Sequence, residues 1–278
     1  MTCIGKKPYI MVILNWRFRN NMKSLSAEKI QENYKTLRNI ITMTFSGERL
    51  EKLNKMYDYF EDRMMLAPAS AKEHYHNAMV GGYVEHVLHI VDFSQSVKKL
   101  WEEKGADINF TDEELIFAAL HHDLGKVGNL EHDYYIPNES DWHRKNQGKI
   151  YTHNPELPYM TVTDRAFYLL QHFQIPLTEN EYMGLMLTDG MYEDANKKYL
   201  MTFLPETGLR SHISRILHQA DMMATFIESD EWKRGDKKET KRVLKSVGNI
   251  KDAVKSEVET KLTGESPKDL FNELFGDK

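Results

Sequence analysis

From Ser26 onward, apolar residues recur three and four positions apart in almost every segment, and no stretch sustains the two-residue alternation of a half-buried strand. That pattern confines the chain to an all-α fold, a bundle in which each helix buries one stripe. The spacing predicts helices over 27–43 and 48–66, the second stopped by Pro68. A longer one is expected over 83–104, opened by Gly81-Gly82 and closed by Gly105. Thr111 and Glu114 carry the signature of a capping box, in which two side chains satisfy the free N–H groups of a helix start, and launch 115–123. Thr178 and Glu181 repeat that signature ahead of 182–187, and a last long helix is expected over 209–232. No internal repeat of solenoid length is present.

One stretch breaks the pattern. Residues 129–162 hold Pro137, Pro155 and Pro158 among Asn, His and the aromatics Tyr134, Tyr135, Trp142, Tyr151 and Tyr159. An irregular insertion this long is functional or disordered, and its aromatic content argues against disorder. The ends differ from the middle. Residues 1–21 are basic and without period, and read as a translated upstream extension or a loosely attached arm. The main domain is expected over 22–232, followed by a charged linker and helical tail over 233–278 that ends in a short amphipathic segment, 270–275.

A chain of 278 residues can bury roughly three quarters of its unfolded surface, so it needs neither a disulfide nor a structural metal to fold. Cys3 is the only cysteine, which excludes a disulfide scaffold and a cysteine-based zinc site. The 42 Asp+Glu against 37 Lys+Arg, a formal charge of −5, argue against a protein that coats nucleic acid. The apolar run at 9–14 is far shorter than the ~20 residues a membrane span takes, and no cleavage-site pattern follows it. A cytoplasmic protein with no membrane partner is the expectation.

Polar residues placed on apolar stripes carry the functional signal. On 83–104 the core-facing stripe is Ile90, Phe93, Val97 and Leu100, and His86 stands on it four residues before Ile90. On 115–123, Leu115, Ala118 and Ala119 mark the buried face; His122 continues it and Asp123 follows. On 209–232, Leu209, Ile213, Ile216, Leu217, Ala220 and Ala224 face inward, with Asp221 one turn after Leu217. A buried carboxylate without a partner costs several kcal/mol. One divalent cation satisfies two imidazoles and two carboxylates together. Mixed His and Asp donors suit Mn²⁺, Fe²⁺, Co²⁺, Ni²⁺ or Zn²⁺ better than Mg²⁺.

His86, His122-Asp123 and Asp221, in that order, resemble the H…HD…D signature of the HD-domain phosphohydrolase superfamily. Gly-Gly-Tyr-Val-Glu-His at 81–86 is similar to its first-histidine segment, Leu-Ile-Phe-Ala-Ala-Leu-His-His-Asp-Leu-Gly-Lys at 115–126 to the central one, and His-Gln-Ala-Asp at 218–221 to the last. Within the superfamily, 67–86 most resembles the HD domain of bacterial 3′-to-5′ exoribonucleases. The resemblance spans 65–128 and 205–232. It implies an all-α core, an HD-domain helical bundle, in which His86, His122, Asp123 and Asp221 ligate one metal. It also implies that the metal acidifies a water whose hydroxide attacks phosphorus. A bound divalent ion can lower the pKa of water from about 15.7 to about 7. Asp123 would orient that nucleophile, and Lys126, one turn on, would set an ammonium against the phosphoryl oxygens. Relatives resembling deoxynucleoside monophosphatases carry a Glu at the position of Lys126, so the chain departs from that subgroup. Gly125 is expected to relax the helix end so that Lys126 turns inward.

The implied activity is hydrolysis of a phosphate ester or anhydride bond in a nucleotide, another phosphorylated small molecule or a short oligonucleotide. Two alternatives keep the same residues: a 3′-to-5′ exonuclease on single-stranded nucleic acid, with steeply salt-dependent binding, and a non-catalytic nucleotide-binding sensor. Some relatives hold a second metal on further histidines, for which His153, His172, His212 and Asp189 are candidates; one ion is the expectation. His218 reads as a packing histidine and His89 as a satisfied groove residue. His121 reads as locally hydrogen-bonded, on the far side of its helix from Ala118. His74 and His76 either shape the site or pack locally. The insertion's aromatics, with Arg144, Lys145 and Lys149, read as a substrate lid or as a structured surface excursion. The lysine-rich run 233–245 reads as a solvated face or a nucleic-acid contact.

Overall fold

Both capping boxes form in the computed structural model, which describes residues 25–235 apart from 203. The Thr111 hydroxyl accepts from the Glu114 N–H at 3.1 Å, and the Glu114 carboxylate accepts from the Thr111 N–H at 2.8 Å. Thr178 and Glu181 repeat the exchange at 3.2 and 2.9 Å. The described chain is mainly helical: α1 (Ala27–Thr44), α2 (Gly47–Leu66), α3 (Gly82–Glu103), α4 (Asp112–His121), α5 (Asp141–Gln147), α6 (Val162–His172), α7 (Glu179–Met186), α8 (Lys197–Leu200) and α9 (Ile213–Gly235). The expected extension 1–21 and, beyond 235, the charged linker, its lysine-rich run and the amphipathic end at 270–275 lie outside the described residues. Among the described residues no helix is long and apolar enough to cross a membrane.

The bundle is organised around α3, which packs on α9, α4, α1 and α2. Leu53, Met56, Phe60, Ile90, Leu115, Phe117, Leu120, Ile216 and Leu217 are fully buried at the junction. Burial of each such side chain contributes about 1.5–3 kcal/mol. Beside this junction, Arg49 of α2 reaches the buried Glu181 of α7 at 2.6 Å and lies over the Phe117 ring. That pair ties the second capping box to the core.

Several expectations need correction. The stripe on α3 holds at Ile90 but not at Leu100, which is 52% exposed; at this end of the helix Trp101 turns to α9 instead, its indole N–H donating to Gln219 at 3.0 Å. The helix expected over 115–123 stops at His121, since the chain tightens there into a 3₁₀ turn, Leu124–Val127, for which Asp123 is the preceding cap. The helix expected from 209 begins at Ile213. The irregular insertion is partly regular: strands β1 (Tyr135–Pro137) and β2 (Tyr151–His153) pair antiparallel around α5, and α6 follows, capped by Thr161. Three-residue strands are too short to display alternation, which is why the pattern missed them.

The loop between α2 and α3 is shaped by its glycines. Gly81 adopts φ +81°, a left-handed conformation, and a side chain on Gly82 would stand 2.1 Å from the Asn77 carbonyl oxygen. The Ala69 N–H donates to that same carbonyl at 3.1 Å, folding residues 68–80 back over the start of α3. Gly82→Ala is therefore expected to destabilise the protein by about 1–3 kcal/mol, a fall in Tm of roughly 2–4 °C per kcal/mol. Thermal denaturation showing an unchanged Tm would contradict this close approach.

Candidate metal centre

Three helices deliver the four residues singled out in the sequence to one point. His86 lies in the second turn of α3; His122 closes α4 and Asp123 follows it; Asp221 lies on α9. The His86 Nε2 atom is 3.3 Å from an Asp221 carboxylate oxygen and 3.8 Å from one of Asp123, and His122 Nε2 is 3.5 Å from Asp123. The donor atoms of His86, His122 and Asp221 all lie within 4.8 Å of one another, as do those of His76, His86 and Asp123. These groups could hold a metal ion.

The hydrogen bonds on the other side of each ring fix what the Nε2 atoms offer. His122 Nδ1 donates to the Ala119 carbonyl at 2.8 Å, and a carbonyl can only accept. His86 Nδ1 donates to the Glu228 carboxylate at 3.0 Å. In the neutral ring the proton is thus on Nδ1 and a lone pair remains on Nε2. Both Nε2 atoms are buried with no hydrogen-bond partner. Neighbouring His121 is the instructive contrast. Its Nδ1 donates to the Phe117 carbonyl at 2.7 Å and its Nε2 accepts from the Tyr57 hydroxyl at 3.2 Å, leaving nothing for a cation. It is buried on the same side as Ala118, not the far side, because residues three apart share a helix face.

Charge at this point is unbalanced without a cation. Burial would raise the Asp123 carboxyl, but the Lys126 ammonium and the His122 and His86 imidazoles hold it well below the usual carboxylate range. Asp221 and Glu228 are likewise pushed down to about 2, against burial, by His86 and its neighbours. Burial works against a charge on His86, yet Glu228 and Asp221 outweigh it and lift the imidazole to about 10. Three carboxylates, offset by one ammonium, leave two negative charges when the imidazoles are neutral. A divalent ion matches that deficit; otherwise protons must fill it.

Lys126 lies 2.6 Å from Asp123 through its ammonium, so it faces the cluster. The role expected of Gly125 needs correction. Its backbone does not take a left-handed conformation; a Cβ there would stand 2.0 Å from the Val162 carbonyl oxygen, so the glycine admits α6 against the 3₁₀ turn. Beside Lys126, a small crevice of about 20 Å³ is lined by Arg63, Pro68, Lys126, Tyr134, Tyr135 and Tyr151. Trp142 and Tyr159 of the insertion are exposed instead.

The candidates for a second metal do not converge. His153 sits on β2 against Tyr134 and Tyr135, His172 at the exposed end of α6 against Phe173, and His212 ahead of α9 against Trp101. Asp189 stands at the rim, largely open to solvent; partial burial of its carboxyl and the facing Asp123 and Asp221 raise it above its ordinary value. His218 donates through Nδ1 to the Thr188 carbonyl at 2.7 Å and packs on Gly190. His89 donates to Glu228 at 2.7 Å. His74 is exposed beside Tyr75, whereas the His76 ring stands 4.7 Å from that of His86. Burial, then the facing His86 and Lys126, push the His76 imidazole down to about 3.

Glu228 was missed in the sequence although a signal existed: it continues the stripe Leu217, Asp221, Ala224 by one more turn. No family model, curated protein or solved structure matches this chain.

Two outcomes follow from this geometry. In the cation-free protein His86 keeps a second proton up to about pH 10, and a cation has to displace it. Its affinity is expected to rise about tenfold per pH unit for each proton displaced, between about pH 6 and 9. Calorimetry in buffers of different ionisation enthalpy reads that release, and a pH-independent affinity would contradict it. Glu228→Ala is expected to weaken metal binding by about 10–100-fold through loss of the His86 orientation, measured by chelator competition.

Proposed function

We propose that this chain is a metal-dependent phosphohydrolase of the HD type, acting on a nucleotide or a short oligonucleotide. The observation that carries the reading is the set of buried, unpartnered Nε2 atoms of His86 and His122 converging with Asp123 and Asp221. A mixed imidazole and carboxylate set of this kind suits Mn²⁺, Fe²⁺, Co²⁺, Ni²⁺ or Zn²⁺ more than Mg²⁺. When bound, such an ion supplies Lewis acidity toward a phosphoryl oxygen and a nucleophile at neutral pH.

The protein's own residues supply the rest. Asp123 is shared between the donor set and Lys126, so it couples the cation position to the ammonium. A phosphate entering here offers Lys126 negative charge that Asp123 no longer provides alone, and the ammonium stabilises charge building on the phosphoryl oxygens. Of the tyrosines beside Lys126, Tyr134 and Tyr151 are buried and Tyr135 is half-buried, so Tyr135 is the one open to the remainder of a substrate, where an aromatic face can stack on a base.

The test is phosphate release from a panel of nucleoside mono-, di- and triphosphates and a short single-stranded oligonucleotide, with each of Mn²⁺, Co²⁺, Ni²⁺, Zn²⁺ and Mg²⁺. Turnover of a free nucleotide, abolished together with metal uptake in Asp123→Ala, is the expected result. Lys126→Met is expected to keep the metal and lose about 100-fold in kcat. Stepwise shortening of the oligonucleotide would instead establish an exonuclease. Ligand-induced thermal stabilisation without turnover under every metal would contradict the enzymatic reading and leave a nucleotide sensor.

A further inference from the structure

We propose that His76 is a fifth ligand of the same cation, so that the centre is a set of three imidazoles and two carboxylates with one coordination position open. The inference rests on the metal-centre reading above and extends it by one residue.

The His76 Nε2 atom is buried and has no hydrogen-bond partner, as for His86 and His122. Its donor atom lies within 4.8 Å of those of His86 and Asp123. The two triads, His76–His86–Asp123 and His86–His122–Asp221, therefore share His86. That shared ring decides between one site and two. His86 Nδ1 is committed to Glu228, so only Nε2 is free, and one lone pair binds one ion. The two triads form two faces of one polyhedron that His76 joins through His86 and Asp123, closing on His122 and Asp221 when the ion binds. Metal–ligand bonds of about 2.1 Å place neighbouring donors about 3.0 Å apart and opposite donors about 4.2 Å apart in six-coordination. The separations of 3.3, 3.5 and 3.8 Å among His86, His122, Asp123 and Asp221 fall between those limits.

A histidine that merely packs would have its buried nitrogens satisfied, as His121 does. His76 is also held in place from the backbone. The Ser70 hydroxyl donates to the His76 carbonyl at 2.7 Å, and the next residue, Asn77, takes the Ala69 N–H and abuts Gly82. The glycine pair is thus what brings the loop histidine to the helical ones. Five protein donors exceed the four of a closed tetrahedral site, so the set favours ions that accept six-coordination, Mn²⁺, Fe²⁺, Co²⁺ or Ni²⁺, over Zn²⁺. The sixth position is left to solvent or to a substrate oxygen.

Co²⁺ added to the full-length protein tests this by its visible absorption and by chelator competition, without any assay of turnover. Wild type is expected to bind one Co²⁺ with the weak bands of five- or six-coordination. In His76→Ala the bands are expected to move and affinity to fall more than about tenfold, with the metal-free melting temperature unchanged; added imidazole restores the bands. His76→Gln gives the same reading if alanine lowers that melting temperature. Superimposable spectra and equal affinities for wild type and both His76 variants would overturn the fifth ligand while leaving the centre in place. Absence of Co²⁺ uptake by wild type, or equal uptake by Asp123→Ala, would overturn the centre itself.

Discussion

Three carboxylates packed among imidazoles in a helical bundle leave a negative charge that the one ammonium beside them, Lys126, does not balance. Asp123 comes from the turn after α4 and Asp221 and Glu228 from α9, and the strongest reason for bringing them together is a positive charge at their centre. The packing serves that arrangement. Helix α3 is the common neighbour of α1, α2, α4 and α9, and His86 stands on its buried face. Helix α9 crosses α3 over two turns, which lets Asp221 meet the His86 Nε2 atom while Glu228 holds Nδ1 of the same ring. One imidazole is thus gripped from both sides, with its Nε2 atom turned toward the cluster. This is the carboxylate–histidine pattern that tunes metal ligands elsewhere in proteins.

Much of this was legible in the sequence because helices announce themselves by period. His86, His122, Asp123 and Asp221 each stand on or at the end of an apolar stripe, and the structure brings all four together. Glu228 lay on a readable stripe as well, but a Glu near the end of a helix ordinarily reads as a solvated charge. His76 was harder. Its place depends on a loop folding back through Gly81-Gly82, and no local pattern states where a loop's side chains go. His121 and His122 show the limit of pattern alone. Both are buried, and only the hydrogen-bond partners separate a satisfied packing histidine from one with a free nitrogen.

The stretch after Lys126 was least legible, for a different reason. Its strands are three residues long and its prolines interrupt any period, so β1 and β2 arise from tertiary packing rather than local propensity. The same stretch places Tyr134, Tyr135 and Tyr151 around the crevice beside Lys126, while Trp142 and Tyr159 turn outward. Gly125 links the two regions, since only a residue without a Cβ lets the Val162 backbone approach the turn that carries Lys126. A single glycine therefore joins the candidate metal centre to the wall of the crevice.

The most direct test of a cation at this point is anomalous diffraction from crystals grown with Mn²⁺ or Co²⁺, recorded at the absorption edge of the ion. The account calls for a single peak about 2.0–2.3 Å from the Nε2 atoms of His86 and His122 and from the carboxylates of Asp123 and Asp221. Ordered water bridging those nitrogens at saturating metal, with no anomalous peak between them, would contradict it.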